Sequence, residues 1–268
     1  MNFELSDENR LIRETIRDIA QNVIAPNAKH VDETGEFPYE NFKALADAGF
    51  MGLVYPEEYG GAGADTVAYV IATEAISAAC GSTGLTYAAH ISLACAPLYY
   101  YGTEAQKQSY LTRLTSGESF AGFGLTEPQT GSDAAGLRTR AVRDGEDWII
   151  NGQKMWITSG GIGDWVIVAA VSDPDKGSKG ITNLIVERGD AGYVIGKNEP
   201  KMGLKGSVTS SLFFEEVRVP DSRRVGDVGQ GFIQFMKTLD GGRISIGAMA
   251  LGLGQAALDH SIAYAKER

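Results

Sequence analysis

The stretch FGLTEPQTGSDAAGLRTR, residues Phe123–Arg140, decides how the rest of the chain is read. It gathers hydroxyls, three glycines, a proline and two acids into a segment too irregular for a helix or a strand. Before it the apolar residues recur with a helical period, and after it with a period of two. Thr126 and Ser132 offer hydroxyls, while Gly124 and Gly131 let the backbone come close to a flat or anionic ligand. Successive free N–H groups in such a loop form a cradle for carbonyl oxygens or a pyrophosphate. The alternative is an ordinary connection held by Asx and Ser/Thr turns.

N-terminal to the stretch, Leu11, Ile12, Ile16, Ile19, Val23 and Ile24 mark one face of an amphipathic helix, with Ser6 as its N-cap and Pro26 as its end. Further helices are expected at Tyr39 to Ala48, Thr66 to Ala79 and Thr83 to Tyr101. A capping box at Thr103 to Gln106 opens another, which Gly117 ends.

C-terminal to it, strands are expected at Arg138 to Val142, Trp148 to Ile150, Lys154 to Thr158, Trp165 to Val171, Ile181 to Val186 and Ser211 to Val219. Asp144-Gly145 and Asn151-Gly152 are read as hairpin turns. From Gly229 the pattern is helical again, as Phe232 to Leu239 and then Ile244 to Lys266. The glycines Gly247, Gly252 and Gly254 in the last helix each cost about 1 kcal/mol against alanine, which implies close packing against other helices.

The pattern predicts a multidomain α+β protein. Residues 1–118 form an all-α domain, 119–227 an antiparallel β-barrel or sandwich, and 228–268 the start of a helical bundle.

With 43% hydrophobic residues over 268 positions the chain can bury a large core, and 24 basic against 34 acidic residues leave a net charge of −10. That balance disfavours nucleic acid and anionic membrane as partners. No apolar run reaches the length of a membrane span, and the charged start MNFELSDENRL does not read as a signal peptide. Cys80 and Cys95 are expected to be buried thiols in a reducing cytoplasm. His30, His90 and His260 lie too far apart in sequence to suggest a metal site.

A second segment, Lys154 to Gly160 (KMWITSG), sets Trp156 beside Thr158 and Ser159. That is an aromatic face with hydroxyls for a ring edge, or equally a Trp anchoring the β core. Taken together, FGLTEPQTGSD and INGQKMWITSGG resemble the two flavin-binding signatures of the acyl-CoA dehydrogenase family. The resemblance extends to YPEEYGGAG, FFEEVRVP and LDGGRISIGAMALGLGQAALD.

The resemblance implies FAD held by Phe123, Gly124, Leu125, Thr126, Gly131, Ser132, Trp156, Ile157 and Thr158. It also implies acyl-CoA contacts at Ser132, Asp240, Gly241, Gly242 and Arg243. The alternative account of Asp240 and Arg243 is a helix-start acid and a bundle salt bridge. The implied reaction is α,β-dehydrogenation of an acyl-CoA thioester, with electrons passed to an electron-transfer flavoprotein from a homotetramer whose C-terminal domain is a four-helix bundle. The short-chain, butyryl-CoA-like branch is the nearer likeness. The general base is a late glutamate in most of the family and precedes the arginine matching Arg243 in a minority. Here that position is Gly242, so no catalytic residue is expected in this chain and the base is expected beyond Arg268.

A flavin oxidase and a non-catalytic flavin- or acyl-CoA-binding module are the competing expectations. GLGQAA at Gly252 to Ala257 fits a dinucleotide fingerprint by pattern but follows no strand, so NAD is not expected.

Overall fold

The computed structural model describes residues 4–268. Helix α1 runs over residues 7–34 without a break. Ser6 caps it, its side chain accepting from the Asn9 amide, and Gly35 ends it in the left-handed conformation at φ 71°. Pro26 therefore does not end the helix. A π-turn at Ala20–Ile24 precedes it, where the Ala25 N–H bonds back to Ala20 across five residues. That widened turn changes the hydrogen-bond register, so the missing proline N–H breaks nothing.

The same device recurs in α4 (residues 81–101). There the π-turn His90–Cys95 comes two residues before Pro97. Between these helices lie α2 (Tyr39–Asp47), ended by Gly49 at φ 78°, and α3 (Thr66–Ala79), capped by Asp65. The expected capping box opens α5 (residues 104–115): Thr103 accepts from the Gln106 amide and Gln106 from the Thr103 amide.

Eight strands follow. They are β1 (Ala121–Gly124), β2 (Arg140–Asp144), β3 (Asp147–Thr158), β4 (Trp165–Val171), β5 (Ile181–Glu187), β6 (Tyr193–Asn198), β7 (Thr209–Pro220) and β8 (Arg224–Val225). Their order is β6-β7-β3-β2-β4-β5-β8, with β1 on β4. The sheet is mixed rather than purely antiparallel, because β1 pairs with β4 in parallel and β2 meets β4 in parallel at Arg140 and Val171.

Asp144 and Asp147 pair across the expected two-residue hairpin. Asn151-Gly152 is no turn. It lies inside the 12-residue strand β3 at a bulge against β7, and the Asn151 side chain both donates to and accepts from Glu216 there. Pairing along the length of β7 outweighs the local turn preference. Strands β6 and β8 carry no alternation strong enough to be read from the sequence.

Strand β4 explains how the layers join. Trp165, Ile167 and Ala169 face the helical core, whereas Val166, Val168 and Ala170 face the interior between the two halves of the sheet. A strand buried on both faces reads as a continuous apolar run, which is what WVIVAAV is.

One helix, α6 (Gly231–Glu267), completes the described chain. It runs straight through Asp240 to Arg243, where two helices were expected, since Gly241 and Gly242 lower helix propensity without breaking hydrogen bonds. Asn183 of β5 holds its start, donating to the Gly231 carbonyl (3.1 Å) and to Gln234 (2.9 Å). Of its glycines, Gly252 packs tightly on α3, whereas Gly247 and Gly254 have open space around them. Leu251, Leu258 and Ile262 on the same half of α6 are exposed. No helix among the described residues is long and apolar enough to cross a membrane.

His90, in the π-turn of α4, is buried and bonded to the Leu114 carbonyl at 3.1 Å. Burial lowers its pKa from 6.5 to about 4, against the opposing Leu114 and Met51 carbonyls. The folded state keeps the imidazole neutral while the unfolded chain binds a proton below 6.5. Stability present above that pH is therefore lost as pH falls towards 4, by about 3 kcal/mol in all. Urea midpoints measured between pH 7 and 5 are expected to fall, and His90→Gln is expected to flatten that part of the profile.

Candidate functional site

Strand β1 delivers the chain to the loop 125–139, and the kinked end of β3 rises beside it. The two segments are stitched together. The Met155 amide donates to the Thr126 carbonyl at 2.9 Å, and Lys154 Nζ donates to the Leu125 carbonyl at 3.1 Å. The pairing of β3 with β7 shifts between Lys154 and Ile157, and Trp156 sits at φ 60°. Ser159 follows at φ 61°. Positive φ at a bulky residue is strained and persists where the surroundings impose it. Its effect here is to turn the indole outward, leaving Trp156 54% exposed. Thr158, two residues on, and Thr126, whose carbonyl bonds the neighbouring Met155 amide, are both half-buried, and Ile157 points the opposite way into the sheet interior.

Trp156 therefore does not anchor the β core. Trp148 and Trp165 are the buried indoles. An exposed aromatic face on a segment bonded to the Thr126 loop suits a planar ring.

A buried ion pair under the loop was not foreseen from the sequence. Lys154 Nζ meets Glu127 Oε1 at 2.8 Å, and neither side chain is more than 1% exposed. Glu127 also accepts from the amides of Arg138 (2.7 Å) and Thr139 (3.0 Å) and from the Gln129 side chain (2.7 Å). Its own backbone exchanges two hydrogen bonds with Thr130. Burial pushes the Glu127 pKa up, but the Lys154 charge and the bonds from Lys154 and Thr139 outweigh it and hold the carboxyl below the usual range. Burial also lowers Lys154 to about 8, against the opposing pull of Glu127. The clue in the sequence was a charged residue within each of the two motifs.

Gly124 has a packing reason for its missing side chain: a Cβ there would lie 3.1 Å from the Ile167 carbonyl and 3.1 Å from Val166. Gly131 has no neighbour within 4 Å of such a Cβ, and Ser132 is exposed beside it. Phe123 leans onto α6, where its ring stacks on Phe235 with centroids 3.8 Å apart.

On α6, Asp240 and Arg243 form an exposed pair at 3.8 Å, Gly241 faces open space, and Gly242 packs near Ser92 of the α4 π-turn. The structure thus unites Phe123–Thr126 with Trp156–Thr158. It ties α6 to them through Phe235, one and a half turns before Asp240.

Among the described residues no group of His, Cys, Asp and Glu is arranged to hold a metal ion. A cavity of about 550 Å³ lies between α1, α3 and α6, lined by Arg13, Arg17, Glu74 and Asp259 among others, with none of these site residues on its wall.

Three family models match in chain order. They are the acyl-CoA dehydrogenase N-terminal domain over residues 6–118, the middle domain over 122–217 and the C-terminal domain over 229–268. The chain is 52% identical to a probable acyl-CoA dehydrogenase, YngJ, of Bacillus subtilis, covering all of this chain and 71% of that protein. It is 45% identical to a short-chain-specific acyl-CoA dehydrogenase of Clostridium acetobutylicum, again over 100% and 71%. The solved structure of butyryl-CoA dehydrogenase from Megasphaera elsdenii superposes with a TM-score of 0.96 at 38% identity, covering 100% of this chain and 71% of that one. The chain belongs to the acyl-CoA dehydrogenase family.

Proposed function

We propose that the protein is a FAD-dependent oxidoreductase that takes part in α,β-dehydrogenation of a short-chain acyl-CoA thioester. The observation that carries this reading is Trp156, outward-facing at φ 60° beside the Thr126 loop.

The residues present fit the cofactor. Trp156 offers a flat, uncovered face. The Thr126 amide has no backbone partner among the described residues, and Gly131 and Ser132 lie open at the far end of the same loop. Thr126, Trp156 and Thr158 would face the ring, and Gly131 and Ser132 would lie towards its phosphates. Gly124 would contribute through the backbone, as would Phe123, Leu125 and Ile157, whose side chains pack inward or onto α6. When bound, FAD supplies a hydride acceptor for the substrate β-carbon. The protein orients the reactants and excludes water. Donors aimed at the thioester oxygen stabilise charge that develops there. Ser132 and Asp240 to Arg243 are the proposed acyl-CoA contacts.

Proton abstraction is assigned to neither Glu127 nor Asp240. Glu127 is buried and committed to Lys154, while Asp240 is exposed and paired with Arg243. The electron acceptor is an electron-transfer flavoprotein and the assembly a homotetramer, a reading supported by the family and by the exposed apolar half of α6.

The test is the visible spectrum of the purified chain under anaerobic conditions, before and after butyryl-CoA. A flavin band that stays unbleached is expected. A band that bleaches would place a working base within these residues, and the absence of any flavin band on titration with FAD would overturn the cofactor reading.

A further inference from the structure

A lysine with no exposed surface is rare, and a buried ion pair by itself is weak evidence for stability. Lys154 nonetheless lies wholly inside the protein, and its ammonium is shared between Glu127 (2.8 Å) and the Leu125 carbonyl (3.1 Å). The second contact fixes a direction. The peptide unit between Leu125 and Thr126 is planar and trans, so its carbonyl and its N–H point to opposite sides. Drawing the Leu125 oxygen down to the buried ammonium turns the Thr126 N–H away from it.

Glu127 acts on the neck of the same loop. One carboxylate takes the amides of Arg138 and Thr139 eleven and twelve positions on, while its backbone closes a two-bond bridge to Thr130. The neck and the amide are thereby set by one ion pair. We propose that Glu127 and Lys154 are positioning residues for the flavin loop, which aim the Thr126 amide and hold residues 125–139 in the shape that receives the cofactor. This rests on the FAD reading above, and its test separates the two.

The variants are Lys154→Met and the double variant Glu127→Gln/Lys154→Met. The single change leaves a buried carboxylate unpaired. The double removes that charge and keeps one of the two acceptor oxygens that the Arg138 and Thr139 amides use, so it avoids the unpaired buried charge and is the variant expected to stay folded. Two readouts are taken on the whole chain. Hydrogen exchange is followed in the flavin-free protein for peptides covering residues 125–139 and, as reference, Trp165–Val171. FAD affinity is measured by titration of flavin fluorescence.

The expected result is exchange at least tenfold faster in 125–139 with the β4 reference unchanged, and FAD binding at least tenfold weaker, in the double variant as in the single. Parent-like exchange and FAD affinity in the double variant would overturn the proposal. So would exchange accelerated equally in β4, which is the mark of general destabilisation. If the parent chain takes up no FAD, the flavin reading falls, and the exchange of 125–139 alone decides whether the pair sets the loop.

Discussion

Replacing Phe235 with alanine is expected to lower the stability of the protein by about 3–5 kcal/mol, the range for deleting a fully buried aromatic ring. Phe235 has no exposed surface and stacks on Phe123 at 3.8 Å with the rings 24° apart. It is the point where α6 meets the strand that leads into the loop 125–139. The loss combines the transfer of the ring with a cavity that two rigid elements cannot close. Phe123 is only half-buried, so without its partner it is freed at the entrance to the loop. Urea unfolding followed by far-UV circular dichroism measures the change. Phe235→Leu is expected to fall well short of it. A loss below about 1 kcal/mol for Phe235→Ala would mean that the stack does not hold α6 to β1.

The second large effect is expected at Gly252. A Cβ on this residue would stand 2.3 Å from the Glu74 carbonyl and 3.2 Å from the Ala78 amide, both backbone atoms of α3. Neither can rotate away, so Gly252→Val must push α6 and α3 apart by about 1 Å to regain normal contact distance. The expected outcome is a loss of several kcal/mol, seen as a lower urea midpoint and a loosened C-terminal half of α6 in hydrogen exchange. Gly247→Ala and Gly254→Ala make the contrast on the same helix. Nothing lies within 4 Å of either added carbon, and each is expected to raise stability by about 0.5–1 kcal/mol through helix propensity. Equal outcomes at all three positions would show that the close approach at Gly252 is not what seats α6.

Those three glycines show what a sequence can and cannot say. All look alike in GAMALGLGQ, and helical periodicity correctly places them inside one long helix region. Which of them touches another backbone depends on a crossing between α6 and α3, residues far apart in the chain. Prolines behave similarly. Pro26 and Pro97 are local helix breakers, yet both helices continue because a π-turn precedes each, and π-turns have no signature in composition.

The candidate site divides along the same line. Trp156, Thr126 and Thr158 were legible as residue types, because the motifs around them are compact and local. Their outward presentation was not, because it depends on a register shift between β3 and β7 that only strand pairing creates. Glu127 and Lys154 were visible as letters within the two motifs, 27 positions apart. Nothing at either position foretold full burial.

By itself the sequence determined the helical first domain, the β unit that follows, the capping box at Thr103, the hairpin at Asp144-Gly145 and the family. Each of these rests on short-range periodicity, local turn chemistry or contiguous motifs. Tertiary structure alone decided that Asn151-Gly152 is a bulge within a long strand, that β1 and β4 run parallel, that α6 is unbroken and that a buried charge pair lies beneath the loop. These depend on hydrogen bonds and packing between distant segments, whose energies outweigh local preference only once the partner is in place.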